Sequence, residues 1–313
     1  MRQRSAFYPR SCTTIPNSTS LLEQETNAVN LTELHEAQLA YWGGDSGKRW
    51  ADHQRYLDQM IEPMGDALLA ANAPQPGERV LDIGCGCGAS ALQTADLVGA
   101  DGVVLGVDIS PDMLQAARRR LGERTLTNTS FELSDVATRP FEPEWDLVMS
   151  RFGVMFFGDP LAAYRNIRLA LRASGRLGFI CWRAATENEW VAVLLTAAAD
   201  IIDMPPPPHP HAPGPFAFAD PDRVNDILSA AGFQHIVMTP VDRQMTMRFD
   251  GPDPLARAAE FVIEFGPLGR LLSKADDATR QRVKAHLPVR LSDFERHGAI
   301  QMGGAAWIVS ATL

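Results

Sequence analysis

The sequence is poor in cysteine, has no long apolar run and carries no excess of positive charge, and each shortage removes a class of protein. Four cysteines, Cys12, Cys85, Cys87 and Cys181, cannot staple a chain of 313 residues. No two have the C-x-x-C spacing of a zinc site. A reducing, cytoplasmic compartment is the expectation. The longest nearly apolar stretch, Val191 to Ile202, is interrupted by Thr196 and Asp200. It falls short of the roughly 20 residues that cross a bilayer, so no membrane span is expected. Lys plus Arg number 29 against 38 Asp plus Glu, a net charge of −9. The densest basic run is only Arg118-Arg119-Arg120. A nucleic-acid partner would need a basic patch, and none is visible.

What remains is an ordinary folded composition, 45% apolar, at a length that suits one or two domains. Residues 1–29 hold three arginines and no acid before Glu23, are broken by Pro9 and Pro16, and are rich in Ser, Thr and Asn. They read as a disordered tail, with a targeting segment as the alternative. From Asn30 to about residue 72, apolar residues such as Leu31, Leu34, Leu57, Met60 and Ile61 recur at helical spacing across a Gly43-Gly44 break. This predicts an N-terminal helical lid. Pro74-Gln75-Pro76-Gly77 is a turn. After it, short apolar strands (Arg79–Ile83, Val103–Val107, Thr129–Leu133, Trp145–Ser150, Arg176–Trp182) alternate with helices (Ala89–Leu97, Pro111–Leu121, Leu161–Leu171). That alternation predicts a parallel α/β sheet over residues 73–313. Two late strands, Phe233–Met238 and Ala305–Thr312, fit a closing hairpin. Between them a helical insert over about 251–290 is expected as two helices broken at Gly266-Pro267.

The strongest local signal is VLDIGCGCGAS, Val80 to Ser90, a strand running through glycines into a helix. Such a loop lets a ligand approach backbone N–H groups at a helix N-terminus. Gly84, Gly86 and Ala89 also satisfy the loose dinucleotide pattern G-x-G-x-x-A, so the string alone is ambiguous. Asp82, inside the strand, would repel a pyrophosphate but can accept from an ammonium. Asp108 ends the second strand and suits a ribose in either cofactor class. Asp135 follows the third strand, where it could accept from an adenine amino group. None of the four tyrosines has the Lys four residues on that a short-chain nicotinamide enzyme would want.

With these residues together, the sequence resembles the class I S-adenosylmethionine-dependent methyltransferases, in the broad bacterial group that includes ubiquinone and menaquinone methyltransferases. VLDIGCGCG, LGVDIS, SDVATRPF, WDLVMSRFGVMFFGDP and LRASGRLGFICW match successive family motifs from about Trp42 to Trp182. The resemblance implies a Rossmann-like, seven-stranded, mostly parallel sheet with helices on both faces. It implies S-adenosyl-L-methionine as cofactor. Asp82, Gly84, Cys85 and Gly86 would surround the methionine moiety, Asp108 would hold the ribose, and Ile109 and Met113 would lie beside the adenine. Asp135 and Val136 would read the adenine edge, and Ser150, Arg151 and Phe152 would stand where cofactor meets substrate.

Trp50, Tyr56, Arg151, Phe152 and Met155 are expected to bound an acceptor pocket. His53 is the candidate base, with a solvated histidine as the plain alternative. Cys85 and Cys87 read as small packing residues rather than a metal pair. The amine-methylating motif Asn/Asp-Pro-Pro-Tyr/Phe is absent. The expectation is a methyltransferase acting on a small apolar or aromatic metabolite, with oxygen, nitrogen and carbon acceptors all open and either a monomer or a homo-oligomer allowed. An NAD(P)-dependent oxidoreductase and a non-catalytic cofactor-binding subunit are the competing readings.

Overall fold

The computed structural model describes residues 30–313; the expected tail, 1–29, and Cys12 lie outside them. Strands β1 (Arg79–Ile83), β2 (Val103–Asp108), β3 (Thr129–Leu133), β4 (Trp145–Arg151) and β5 (Leu171–Trp182) are parallel and ordered β3-β2-β1-β4-β5. β8 (Ala299–Thr312) adds antiparallel to β5, and β6 (Gln234–Met247) antiparallel to β8. A two-residue strand, β7 (Glu295–Arg296), pairs with β8 off this path. The expected seven-stranded sheet is thus present, with one short addition.

The central strands are buried because helices cover both faces, and their sequences are accordingly apolar throughout rather than alternating. Helices α1 (Leu31–Gly43), α2 (Asp45–Asp52) and α3 (Gln54–Asn72) precede the sheet. α4 (Ala89–Val98), α5 (Pro111–Gly122) and α6 (Pro160–Ala170) connect its parallel strands. α5 starts where its sequence says, with Ser110 Oγ accepting from the Met113 amide and Pro111 in the first turn. α7 (Glu189–Ala199) and α8 (Pro221–Ala230) follow β5. Tyr164, Phe179 and Phe218 lie fully buried among the core side chains.

Three local expectations change. The late insert holds three helices, α9 (Pro254–Val262), α10 (Gly266–Leu272) and α11 (Asp277–Leu291). Gly266, at φ +64°, marks the predicted break, and Asp276 caps a third helix by accepting from the Thr279 amide. The residues between the expected helix end at Leu171 and the expected strand start at Arg176 belong to β5, where they form an irregularity: Trp145 pairs with Leu171, but Leu147 pairs with Arg176. β6 and β8 are each 14 residues long, well beyond their apolar stretches. Their outer halves pair with each other and not with the parallel sheet.

The lid is anchored where α3 meets β5. Asn72, buried at the end of α3, donates to the Gly178 carbonyl at 3.3 Å, and its own carbonyl accepts from Arg176 at 2.9 Å. A Cβ at position 178 would lie 1.8 Å from Asn72 Oδ1. We therefore expect Gly178→Ala to cost about 1–3 kcal/mol through overpacking. Urea denaturation checks this, and an unshifted midpoint would show that this seam yields freely.

Candidate functional site

The strand order reverses between β1 and β4, the place where an open α/β sheet forms its ligand crevice. A single continuous cavity lies there. Its floor is built by the loops after the strands: Gly84 to Cys87 after β1, Asp108 and Ile109 after β2, Ser134 to Val136 after β3, Arg151 to Gly153 after β4, and Trp182 at the end of β5. The roof comes from distant segments. α1 contributes His35, Gln38 and Trp42, and α2 contributes Trp50. α3 adds Gln54, Leu57, Asp58, Met60 and Ile61, α7 adds Trp190, and Phe265 and Gly266 come from the insert.

The glycine loop closes on itself because three of its residues take backbone geometries that side chains resist. Gly84, Gly86 and Gly88 have φ of +62°, +54° and +80°. Asp108 holds the loop from the next strand: Oδ2 accepts from the Gly86 amide and Oδ1 from the Ser110 amide, both at 2.8 Å. Burial raises this carboxyl above its ordinary value, although the backbone amides oppose the shift. Asp82 is fully buried; Oδ2 accepts from Ser90 Oγ at 2.6 Å, and Oδ1 has no hydrogen-bond partner. Burial pushes it up to about 7, with Ser90 and Arg151 pulling the other way. The Cys85 and Cys87 thiols are also raised by burial, Cys87 to about 12, which leaves them unreactive at neutral pH. Among the described residues no group of His, Cys, Asp and Glu is arranged to hold a metal.

Gly84, Cys85, Gly86, Asp108, Ile109, Met113, Asp135 and Val136 all line the cavity, as do Trp50, Arg151, Phe152 and Met155. Asp135 is already engaged: Oδ1 accepts from the Ala137 amide at 3.0 Å, and Oδ2 meets His35 Nε2 at 3.0 Å. Phe152 takes the left-handed conformation, φ +62°, rare for a bulky residue, and its ring stacks on Trp182 at a 4.0 Å centroid distance.

Four expected residues do not line the cavity. Asp82 lies beneath Ser90, which does. Ser150 is a strut: its Oγ donates to the Ile83 carbonyl at 2.7 Å and accepts from the Gly153 amide at 3.2 Å. His53 sits at the break between α2 and α3, with Nδ1 on the Arg49 carbonyl at 3.1 Å and its ring against Phe261 and Phe265. Tyr56 packs on Phe249 and Phe261. Because the helix breaks at His53, Trp50 and Leu57 reach the cavity from different helices while His53 does not.

Among the residues that the sequence reading missed are Gln54 and Asp58. Asp58 Oδ1 accepts from Arg151 Nη2 at 2.8 Å, and its Oδ2 accepts from Arg120 Nη1 at 3.0 Å and from Gln54 Nε2. Arg120 also donates to the Cys87 carbonyl at 2.7 Å. The available signal was the i, i+4 spacing of Gln54 and Asp58 on the turn that carries Leu57 and Ile61.

Asp82 makes the pH dependence of the fold testable. Between the ordinary carboxylate value of 3.8 and about 7, the folded chain keeps a proton there that the unfolded chain has lost. This group's contribution to stability therefore falls as pH rises through that window. Asp82→Asn should melt higher than the parent at pH 8, with the gap narrowing towards pH 4. Melting curves at the two pH values check it, and a gap that does not vary with pH would show that the carboxyl is ionised throughout.

A methyltransferase-domain family profile matches residues 74–193. The chain is 40% identical over 122 residues to aklanonic acid methyltransferase DauC of Streptomyces sp. (strain C5), covering 39% of this chain and 56% of that one. It thus spans little more than half of that relative's length. It is 33% identical over 188 residues to nocamycin O-methyltransferase of Saccharothrix syringae, covering 57% and 67%. In fold it is similar to phosphoethanolamine N-methyltransferase 2 of Haemonchus contortus, with a TM-score of 0.52, 17% identity, and 91% and 60% of the two chains covered. The glycine loop, the reversal of strand order above it and these likenesses converge, and the chain belongs to the class I S-adenosylmethionine-dependent methyltransferases.

Proposed function

We propose that the chain methylates a small, apolar or aromatic metabolite, with the cofactor at the β1–β3 end of the cavity and the acceptor at the β4–β5 end. The observation that carries this is the continuity of the cavity from the glycine loop to a chamber walled by Phe152, Met155, Trp182, Trp190 and Phe265. The relatives named for aklanonic acid and nocamycin are consistent with such an acceptor.

The residues fit the cofactor on their own terms. Asp82 lies one side chain beneath the cavity, behind Ser90, and a negative charge there would favour an ammonium above it. Gly86 leaves the backbone open to close approach, and Asp108 presents a carboxylate to the cavity where ribose hydroxyls would donate. Met113 and Ile109 offer apolar surface for an adenine ring. When bound, S-adenosylmethionine supplies a methyl group activated by its sulfonium. The protein's share is then to bind, align and exclude water. Alignment alone is worth about 7–11 kcal/mol of barrier in favourable cases. The aromatic roof from α1, α2, α7 and the insert serves the exclusion of water.

The experiment is calorimetry followed by turnover. S-adenosylmethionine and its demethylated product should bind at micromolar concentrations and NAD(P)H should not; nicotinamide binding alone would sink the reading. Asp108→Asn keeps the shape of the side chain but removes its charge and one of the two acceptors that hold the Gly86 and Ser110 amides. It should weaken the cofactor by about 1.5–3 kcal/mol, the value of a hydrogen bond to a charged group. An unchanged dissociation constant would place the ribose elsewhere. Transfer of labelled methyl to a component of a metabolite extract would show that the bound cofactor is used.

A further inference from the structure

The acceptor end of the cavity is almost without proton chemistry. We propose, resting on the functional reading above, that the acceptor enters as an oxyanion, a carboxylate or an acidic enol or phenol on an apolar ring, and that Arg151 positions it.

The end in question is formed after β4 and β5 and roofed by α3, α7 and α10. Its walls are apolar, with Leu57, Met60, Ile61, Phe152, Trp182 and Phe265 among them. Among the described residues, the polar side chains these segments bring to the cavity are Gln54, Asp58 and Arg151, with the indole N–H groups of Trp182 and Trp190; Gln38 of α1 adds an amide, which is not a base. Both oxygens of Asp58 already accept, so a substrate proton there would compete with two guanidiniums. One takes a hydrogen bond from Arg151, the other from Arg120 and Gln54. His53 faces the insert, and His35 is paired with Asp135 at the other end. A neutral alcohol or an ammonium would bring a proton that nothing here is placed to take. An oxyanion brings none.

Charge leads to the same conclusion. Two guanidiniums share one carboxylate, so the Arg120–Asp58–Arg151 group sums to one positive charge. Arg151 is its most enclosed member, with a side chain 10% exposed. A cation so short of water favours an anion beside it and repels an amine. Its bond to Asp58 runs through one terminal nitrogen of a guanidinium that carries five N–H donors. Arg120 reaches the glycine loop through the Cys87 carbonyl, whereas Arg151 ends β4 next to Phe152 and its side chain runs along α3 at Asp58 and Gly65.

The transfer then balances without a base. A lone pair of the oxyanion forms the bond to the methyl carbon while the carbon–sulfur bond breaks and its pair returns to sulfur. The negative oxygen and the positive sulfur both become neutral, giving an ester or ether and a thioether, and no proton is left over.

The test uses the full chain saturated with S-adenosylhomocysteine and titrated by calorimetry at pH 7.5. The probes are 2-naphthoate and 2-naphthamide, which share a ring and differ in charge. Naphthoate should bind at least about tenfold tighter, roughly 1.4 kcal/mol. Arg151→Gln should erase that preference by weakening naphthoate alone, with S-adenosylhomocysteine affinity kept within a few-fold. Arg151→Lys should restore part of the preference. Equal or tighter binding of the amide to the parent chain overturns the proposal, as does a preference that survives in Arg151→Gln. Loss of S-adenosylhomocysteine affinity in Arg151→Gln, with naphthoate unaffected, also overturns it and makes Arg151 a cofactor ligand. If neither ring binds while S-adenosylhomocysteine does, the apolar-acceptor reading falls with it. Failure of S-adenosylhomocysteine itself to bind would count against the cofactor site instead.

Discussion

The site rests on the closeness of two glycines. A Cβ on Gly84 would lie 2.8 Å from the Gly153 Cα, and a Cβ on Gly153 would lie 2.8 Å from the Ile83 carbonyl oxygen. Backbone meets backbone at this point, with Ser150 Oγ bridging the two strands beneath it. Because the loops after β1 and β4 touch, the ends of the cavity share one floor. A ligand bound by the first loop lies directly beside whatever the second one holds. An in-line displacement needs that adjacency more than it needs any reactive side chain.

Above this floor, segments far apart in sequence interlock. Trp50 on α2 meets Phe265, at the start of α10, edge to face at 6.2 Å. Tyr41 on α1 lies under the Arg270 guanidinium at 5.0 Å. His53 and Tyr56 belong to the same seam, with Phe249, Phe261 and Phe265 around them. These aromatic residues therefore act as the joint between the N-terminal helices and the insert, and the cavity is roofed by two segments that hold each other in place.

The fold was largely legible in the sequence because its signals are local. Strands buried on both faces are short apolar runs, Ser110-Pro111 starts a helix, and the glycine loop stands between a strand and a helix. The same holds for the residues after β1, β2 and β3, which reach the cavity by following their strands. What lay hidden depends on distance. Nothing near His53 in sequence tells of Phe261 and Phe265, which draw its ring away from the cavity. Nothing near Asp58 tells of Arg120 and Arg151, 62 and 93 residues on. The length of β6 was hidden for a related reason: its outer half pairs with β8, and the buried side chains there, Val241, Met245 and Met247, are spread among polar ones.

α1 hangs over this cavity by contacts at its surface alone. Its first turn is capped by Asn30, whose side chain accepts from the Thr32 and Glu33 amides, yet none of its residues is buried. A helix held by a cap, an ion pair at His35 and a few ring contacts has a small free energy of local unfolding, far below that of the sheet beneath it. Traffic through the cavity can therefore be decoupled from global stability. α1 can open over its own short length while the rest of the roof and the strands carrying the glycine loop stay in place.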